Sequence, residues 1–248
     1  MDVGAKGPAP KARRLDAWLV RRGYGEARRS RYTFFYHDGS KPRPALRGAS
    51  HELFFALTPA LLAHMLSGCS TARGACAAAV YMLGWAVQYG VSSQFHRRRW
   101  TLAEEQFMSD LDHVGVLTMP AGTYFPLAML LPAWRRAYLL GALALYLTYG
   151  AYRSFDKRGG RAEETALTIG MVLLVGPAAP ELYARCTAAE WALHCAALAQ
   201  YLGGGLAYAA HWPEPWPGVF GAQEVMHLAT CTASVCTFLM NTSVVSRI

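Results

Sequence analysis

SSQFHRRRWTLAEEQFMSDLDHVGVLTMPAGTYFP, residues 92–126, joins two long apolar segments through a charged connection. His96 closes the first segment, Arg97, Arg98 and Arg99 follow it, and Asp112 opens the second. The segments therefore form a hairpin with a histidine and a carboxylate at one end. Ionisable groups are costly inside an apolar bundle and mark function there, and an imidazole beside a carboxylate points to a metal site. A later stretch, GAQEVMH at residues 221–227, supplies Gln223 and His227 four positions apart, on one face of a helix. Ser92 stands one turn inward of His96 on the same face.

Working outward, 53% of the 248 residues are apolar and 16% charged, with a mean hydropathy of +0.14. That balance favours a membrane protein over one or two soluble domains. The net charge of +8 does not describe a nucleic-acid-binding face, because half of the Lys and Arg residues, twelve of 24, lie in the first 47 residues. No basic motif with interleaved aromatics follows, so no nucleic-acid partner is expected. The six cysteines, at 69, 76, 186, 195, 231 and 236, lack the paired spacing of zinc ribbons or redox motifs and read mainly as small core residues.

Charge-poor runs near the ~20 residues that a helix needs to cross hydrocarbon occur seven times. They cover residues 50–69, 74–95, 111–131, 137–152, 165–182, 189–210 and 219–240. The fifth carries Pro177 and Pro180, which kink or end it; a re-entrant segment there would leave six spans. Cytoplasmic loops collect Lys and Arg, and placing the N-terminus inside puts nineteen on the inner side and five on the outer. The expected fold is all-α: a polytopic, multi-pass membrane protein, a seven-helix bundle with a cytoplasmic N-terminus. Residues 48–248 form the membrane domain, and residues 1–47 a basic, partly disordered cytoplasmic arm. Within the arm, Leu15, Trp18 and Leu19 share a helix face bordered by arginines, expected to rest on an anionic membrane surface or to stay in solvent.

This topology brings His96, Asp112, Gln223 and His227 to one depth on the cytoplasmic side. His51, His64, His194 and His211 carry no assignment, His113 points away from Asp112 around its helix, and Glu224 reads as solvated at the mouth of the seventh span. The absence of lysine after Lys157 excludes a retinal protein, and no internal symmetry marks an inverted-repeat transporter.

At these residues the chain resembles the haemolysin III branch of the progestin and adipoQ receptor family, within the alkaline ceramidase-like superfamily. The resemblance covers about residues 41–240 and rests on KPRPALRGASHE (41–52), S-x-x-x-H followed by RRRW (92–100), LDHVGVLTMPAGTYFP (111–126) and PWPGVFGAQEVMH (215–227). It implies Zn²⁺ at the cytoplasmic end of the bundle, with His96 and His227 as ligands and with Asp112 and Ser92 managing a water at the metal. The family's H-x-x-x-H pair departs here, because Gln223 occupies its first position, and an amide oxygen is a weak zinc donor. Asp112 then enters the ligand set with the two histidines, or the metal has been lost. Two functions follow. One is a zinc-dependent hydrolase of a ceramide-like membrane lipid releasing a free fatty acid, with Asp112 as general base and Ser92 orienting. The alternative is a non-catalytic receptor or structural protein with a degenerate metal site. Pro59, Pro120 and Pro126 are expected to kink the helices between which a lipid enters.

Overall fold

In the computed structural model, residues 14–31, 42–156 and 160–248 are described. Four of the arm's twelve basic residues, Lys6, Lys11, Arg13 and Lys41, and the Lys157–Arg158 pair lie outside them. The chain is helical: α1 (Arg14–Arg21), α2 (Ala49–Ser67), α3 (Ala72–Arg97), α4 (Leu102–Met129), α5 (Ala133–Asp156), α6 (Gly160–Leu173), α7 (Ala179–Arg185), α8 (Ala188–Ala210) and α9 (Ala222–Val245). No strand forms among the described residues.

Helix boundaries follow local chemistry. Thr101 and Glu104 form a reciprocal cap at the start of α4, and Thr187 and Glu190 do the same for α8. Pro177 and Pro180 break the fifth apolar run, which becomes α6, a 3₁₀ turn (Gly176–Ala178) and α7. By contrast α2 runs through Pro59, and α4 through Pro120 and Pro126. The sharpest difference from the sequence reading concerns the charged connection. It is not a long loop, because α3 ends at Arg97 and α4 begins at Leu102. The acidic residues Glu104, Glu105 and Asp110 lie on the first turns of α4 and are buried, so Asp112 sits within a helix rather than at its mouth.

Packing centres on α4 and α9. One core cluster joins Leu117, Tyr124 and Leu127 of α4 to Leu139 of α5, Met171 of α6 and Met240 of α9. A second joins Met65 of α2, Tyr81, Trp85 and Tyr89 of α3, Met119 of α4 and Phe238 of α9. Helices α3 and α4 approach closely where a Cβ on Gly84 would lie 2.8 Å from the Thr118 carbonyl oxygen, the small-residue contact favoured between helices in lipid. Polar groups cross the interior: Tyr89 donates to Ser234 Oγ (2.6 Å), Tyr81 pairs with Thr237 (3.0 Å), and Asn241 donates to the Thr123 carbonyl (3.3 Å). Large apolar side chains meanwhile face outward, with Leu83, Leu145, Leu173 and Leu202 more than half exposed. A polar-laced interior under a leucine-rich exterior suits hydrocarbon surroundings. Among the described residues, three stretches, Ala72–Arg97, Ala166–Arg185 and Ala222–Val245, are long and apolar enough to cross a membrane. All six cysteines are free thiols.

The start of the chain also differs from expectation, because α1 docks on α4. Leu19 is fully buried with Tyr24 and Ala103, against Phe107. Tyr24 donates to Asp110 Oδ2 (3.0 Å), and Gln106 bonds both the N–H and the carbonyl of Gly25 (2.8 and 3.0 Å). Burial, reinforced by the Asp110 carboxylate, holds the Tyr24 phenol well above its usual pKa. Leu15 and Trp18 stay exposed. Removing a hydrogen bond to a charged group costs about 1.5–3 kcal/mol. Tyr24→Phe is therefore expected to speed amide exchange over residues 14–25 by about 10- to 100-fold while leaving exchange in α3 and α9 unchanged; equal rates in both proteins would count against this docking.

Candidate functional site

The chain enters α2 through a segment pinned from two sides. The Ala45 and Leu46 amides donate to the Gly218 and Val219 carbonyls (3.0 and 3.1 Å), in the connection that leads into α9. The Arg43 guanidinium donates to the carbonyls of His96 (2.9 Å) and Arg98, at the end of α3, where helix carbonyls lack partners. Gly48 between them has φ 75°, and a Cβ there would lie 2.7 Å from His96 Cβ. Both the left-handed backbone and the close approach require glycine.

These constraints bring the ends of α2, α3 and α9 against α4. His96 Nε2 lies 3.6 Å from Asp112 Oδ2 and 3.2 Å from Gln223 Nε2. The His96 and His227 ring centroids are 4.9 Å apart. His51 stacks on His227 with centroids 4.0 Å apart and an interplanar angle of 22°, and its Nδ1 is 2.8 Å from Ser92 Oγ. Tyr89 closes the other side of His51, edge-on at 4.9 Å. His51, Ser92, His96 and His227 are each at most 2% exposed, and the Asp112 side chain is 16% exposed.

Thus the five residues selected from sequence, Ser92, His96, Asp112, Gln223 and His227, meet in one place. His51, left without a role by the sequence reading, belongs with them. The signal for it was the span count itself, since a residue opening the first span lies at the same end as one closing the second. Glu224 also differs from expectation. It is 3% exposed, accepts from Arg47 Nε and from the Gly221 amide (2.8 Å), and so caps α9 instead of facing solvent. Among the described residues, two further histidines are placed elsewhere: His113 Nδ1 bonds the Ser109 carbonyl (2.6 Å), and His194 packs against Tyr124 and Trp191.

A family model described as haemolysin-III related matches residues 40–238. The chain belongs to the haemolysin-III related family. The match begins just before Arg43 and Arg47 and ends within α9, so every residue of the cluster falls inside it. With its apolar helices, the chain is a haemolysin III family membrane protein.

Several polar atoms in this haemolysin III cluster are buried without a protein partner: His51 Nε2, His96 Nδ1, His227 Nδ1 and Asp112 Oδ1. Buried polar atoms are normally satisfied, so four unpaired ones in a single cluster ask for a ligand, an ion or water. Imidazole nitrogens and a carboxylate oxygen are donors that zinc takes, so the residues fit the metal in kind. Among the described residues, no three His, Cys, Asp or Glu side chains already stand in a metal-holding arrangement. Gln223 is committed elsewhere: Arg47 donates to its amide oxygen, and its amide nitrogen faces His96.

Proposed function

We propose that this protein crosses the membrane seven times, through α2, α3, α4, α5, the α6–α7 rod, α8 and α9, with its N-terminus in the cytoplasm. The excess of Lys and Arg before α2 and between alternate helices supports that orientation. In this frame the cluster lies at the cytoplasmic end and holds Zn²⁺ for hydrolysis of a membrane lipid amide of ceramide-like type, releasing a fatty acid. The observation carrying this reading is the convergence of Ser92, His96, Asp112 and His227, with His51, in one buried site.

Each residue has a role in that reading. His96 and His227 would hold the metal. Bound zinc supplies the Lewis acidity that makes water a competent nucleophile near neutral pH and polarises an amide carbonyl. Asp112 takes the proton of the attacking water at Oδ1, its oxygen without a protein partner, and passes it to the amide nitrogen, which leaves as the amine. Ser92 Oγ, fixed by His51, orients that water by hydrogen bonding. The buried aromatic wall of Trp85 and Tyr89 keeps bulk water from the reacting centre.

A specific observation favours a second reading, a receptor or structural protein with a degenerate metal site. The Gln223 amide nitrogen stands at His96 Nε2 and the Arg47 cation stands behind it, so a hydrogen-bonded chain could substitute for the metal. Elemental analysis of the detergent-purified protein separates the two. About one zinc per chain in the wild type, lost in His96→Ala, is the expected result. Absence of zinc in the wild type with zinc in Gln223→His would overturn the hydrolase and leave the receptor or structural reading.

A further inference from the structure

We infer that His51 is the nitrogen donor that completes the metal site of this chain in place of Gln223; the inference rests on the metal-binding reading above. Three observations carry it. First, the Gln223 amide oxygen, its one donor of use to a cation, already accepts from the Arg47 guanidinium, which Glu224 in turn anchors. Recruiting that oxygen to a metal would place the cation beside a guanidinium and break the bond that Arg47 makes to it. Second, His51 lies face to face with His227, centroids 4.0 Å apart, at 2% exposure. Its Nε2 is buried without a partner, as is His227 Nδ1. Third, His51 Nδ1 is held by Ser92 Oγ at 2.8 Å. With Nδ1–H donating to Ser92, the lone pair is on Nε2, the tautomer a ligand needs. Metal-ligating histidines are oriented through their second nitrogen in this way. With the stacked His51 ring turned so that Nε2 faces the cation, the set becomes three imidazoles, His51 from α2, His96 from α3 and His227 from α9, with Asp112 of α4 alongside. Ser92 then acts on the metal site by orienting His51 as well as on water.

The test uses the full-length protein in detergent, stripped of metal and titrated with Co²⁺, whose visible absorption reports donor number and type, with zinc stoichiometry measured in parallel. Gln223→Ala is expected to keep the stoichiometry and the Co²⁺ spectrum of the wild type. His51→Ala is expected to weaken metal binding by more than about 100-fold, beyond what loss of an outer partner causes. Adding Gln223→His to His51→Ala is expected to restore binding by supplying an imidazole from the other side. A His51→Ala protein with unchanged affinity and spectrum would overturn the assignment while leaving the metal reading intact. So would loss of binding in Gln223→Ala, a comparison that holds even where His51→Ala fails to fold. A wild type that takes up neither metal overturns the metal reading and the inference together.

Discussion

Asp112→Asn is expected to lower lipid amide turnover by about 10²–10⁴-fold, the usual contribution of a positioned general base. Asparagine matches the carboxylate in size and can still pair with His96, so the packing of α4 against α3 is preserved while basicity is lost. One oxygen, Oδ2, faces His96 Nε2 at 3.6 Å, and the other, Oδ1, is buried without a protein partner. The first holds the side chain in place; the second is free to take a proton. Loss of a proton acceptor acts on the transition state, so the fall should appear in kcat with KM nearly constant. The assay is release of fatty acid from a short-chain ceramide-like amide in mixed micelles, with zinc content measured on the same samples. A variant with full zinc and near wild-type kcat would remove Asp112 from the base role. A variant that loses zinc as well as turnover would instead make the carboxylate a ligand.

Much of this architecture was legible because hydrocarbon imposes length and polarity rules on a helix. The apolar runs gave helices near the expected places, and Pro177 and Pro180 broke the fifth as proline geometry requires. What misled was polarity taken as a sign of exposure. Glu104, Glu105 and Asp110 fall in the charged connection between the second and third apolar runs, and their charge alone suggests exposure. Yet Glu104 caps its own helix, and Asp110 is partnered by Tyr24 of the arm, so helix α4 carries them into the interior. Pairing across more than eighty positions in sequence leaves no local signal. The same blindness hid the docking of α1: Leu19, Tyr24 and Gln106 make sense only once both elements are seen together.

The site was legible for a different reason, namely that topology is a strong constraint on depth. Running the apolar segments alternately up and down puts residues 96, 112, 223 and 227 at one end, and in the structure His96 lies near each of the other three side chains. His51 satisfied the same criterion but opens a helix beside Ser50 and Glu52, where a histidine usually meets solvent or headgroups. Its burial comes from the left-handed turn at Gly48 and from the pinning of residues 45 and 46 by the connection before α9. Neither can be read from spacing alone.

Glu224→Ala should be the most destabilising single substitution around the site. Arg47 and Glu224 are 8% and 3% exposed, and their ion pair is joined to Gln223 on one side and to the Gly221 amide on the other. Removing one member of a buried pair leaves an uncompensated charge, which costs about 3–5 kcal/mol, a large part of a typical stability of about 5–15 kcal/mol. Glu224→Gln, which keeps an acceptor for Arg47 and for the α9 cap but loses the charge, should fall between wild type and alanine. If the pair is the cause, Arg47→Ala combined with Glu224→Ala will cost less than the two single changes added together, because the double variant removes both charges of the pair. Equilibrium unfolding in detergent measures the wild type and the four variants, and a loss below about 1 kcal/mol for Glu224→Ala, the range of an exposed pair, would refute the buried-pair account. The consequence reaches the site as well. With Glu224 gone, Arg47 loses its anchor, and Gln223 loses the fixed donor that holds its amide oxygen away from His96 and His227. On the metal-binding reading, metal affinity should therefore shift in Glu224→Ala and much less in Glu224→Gln, because the ion pair would set which donors reach the cation.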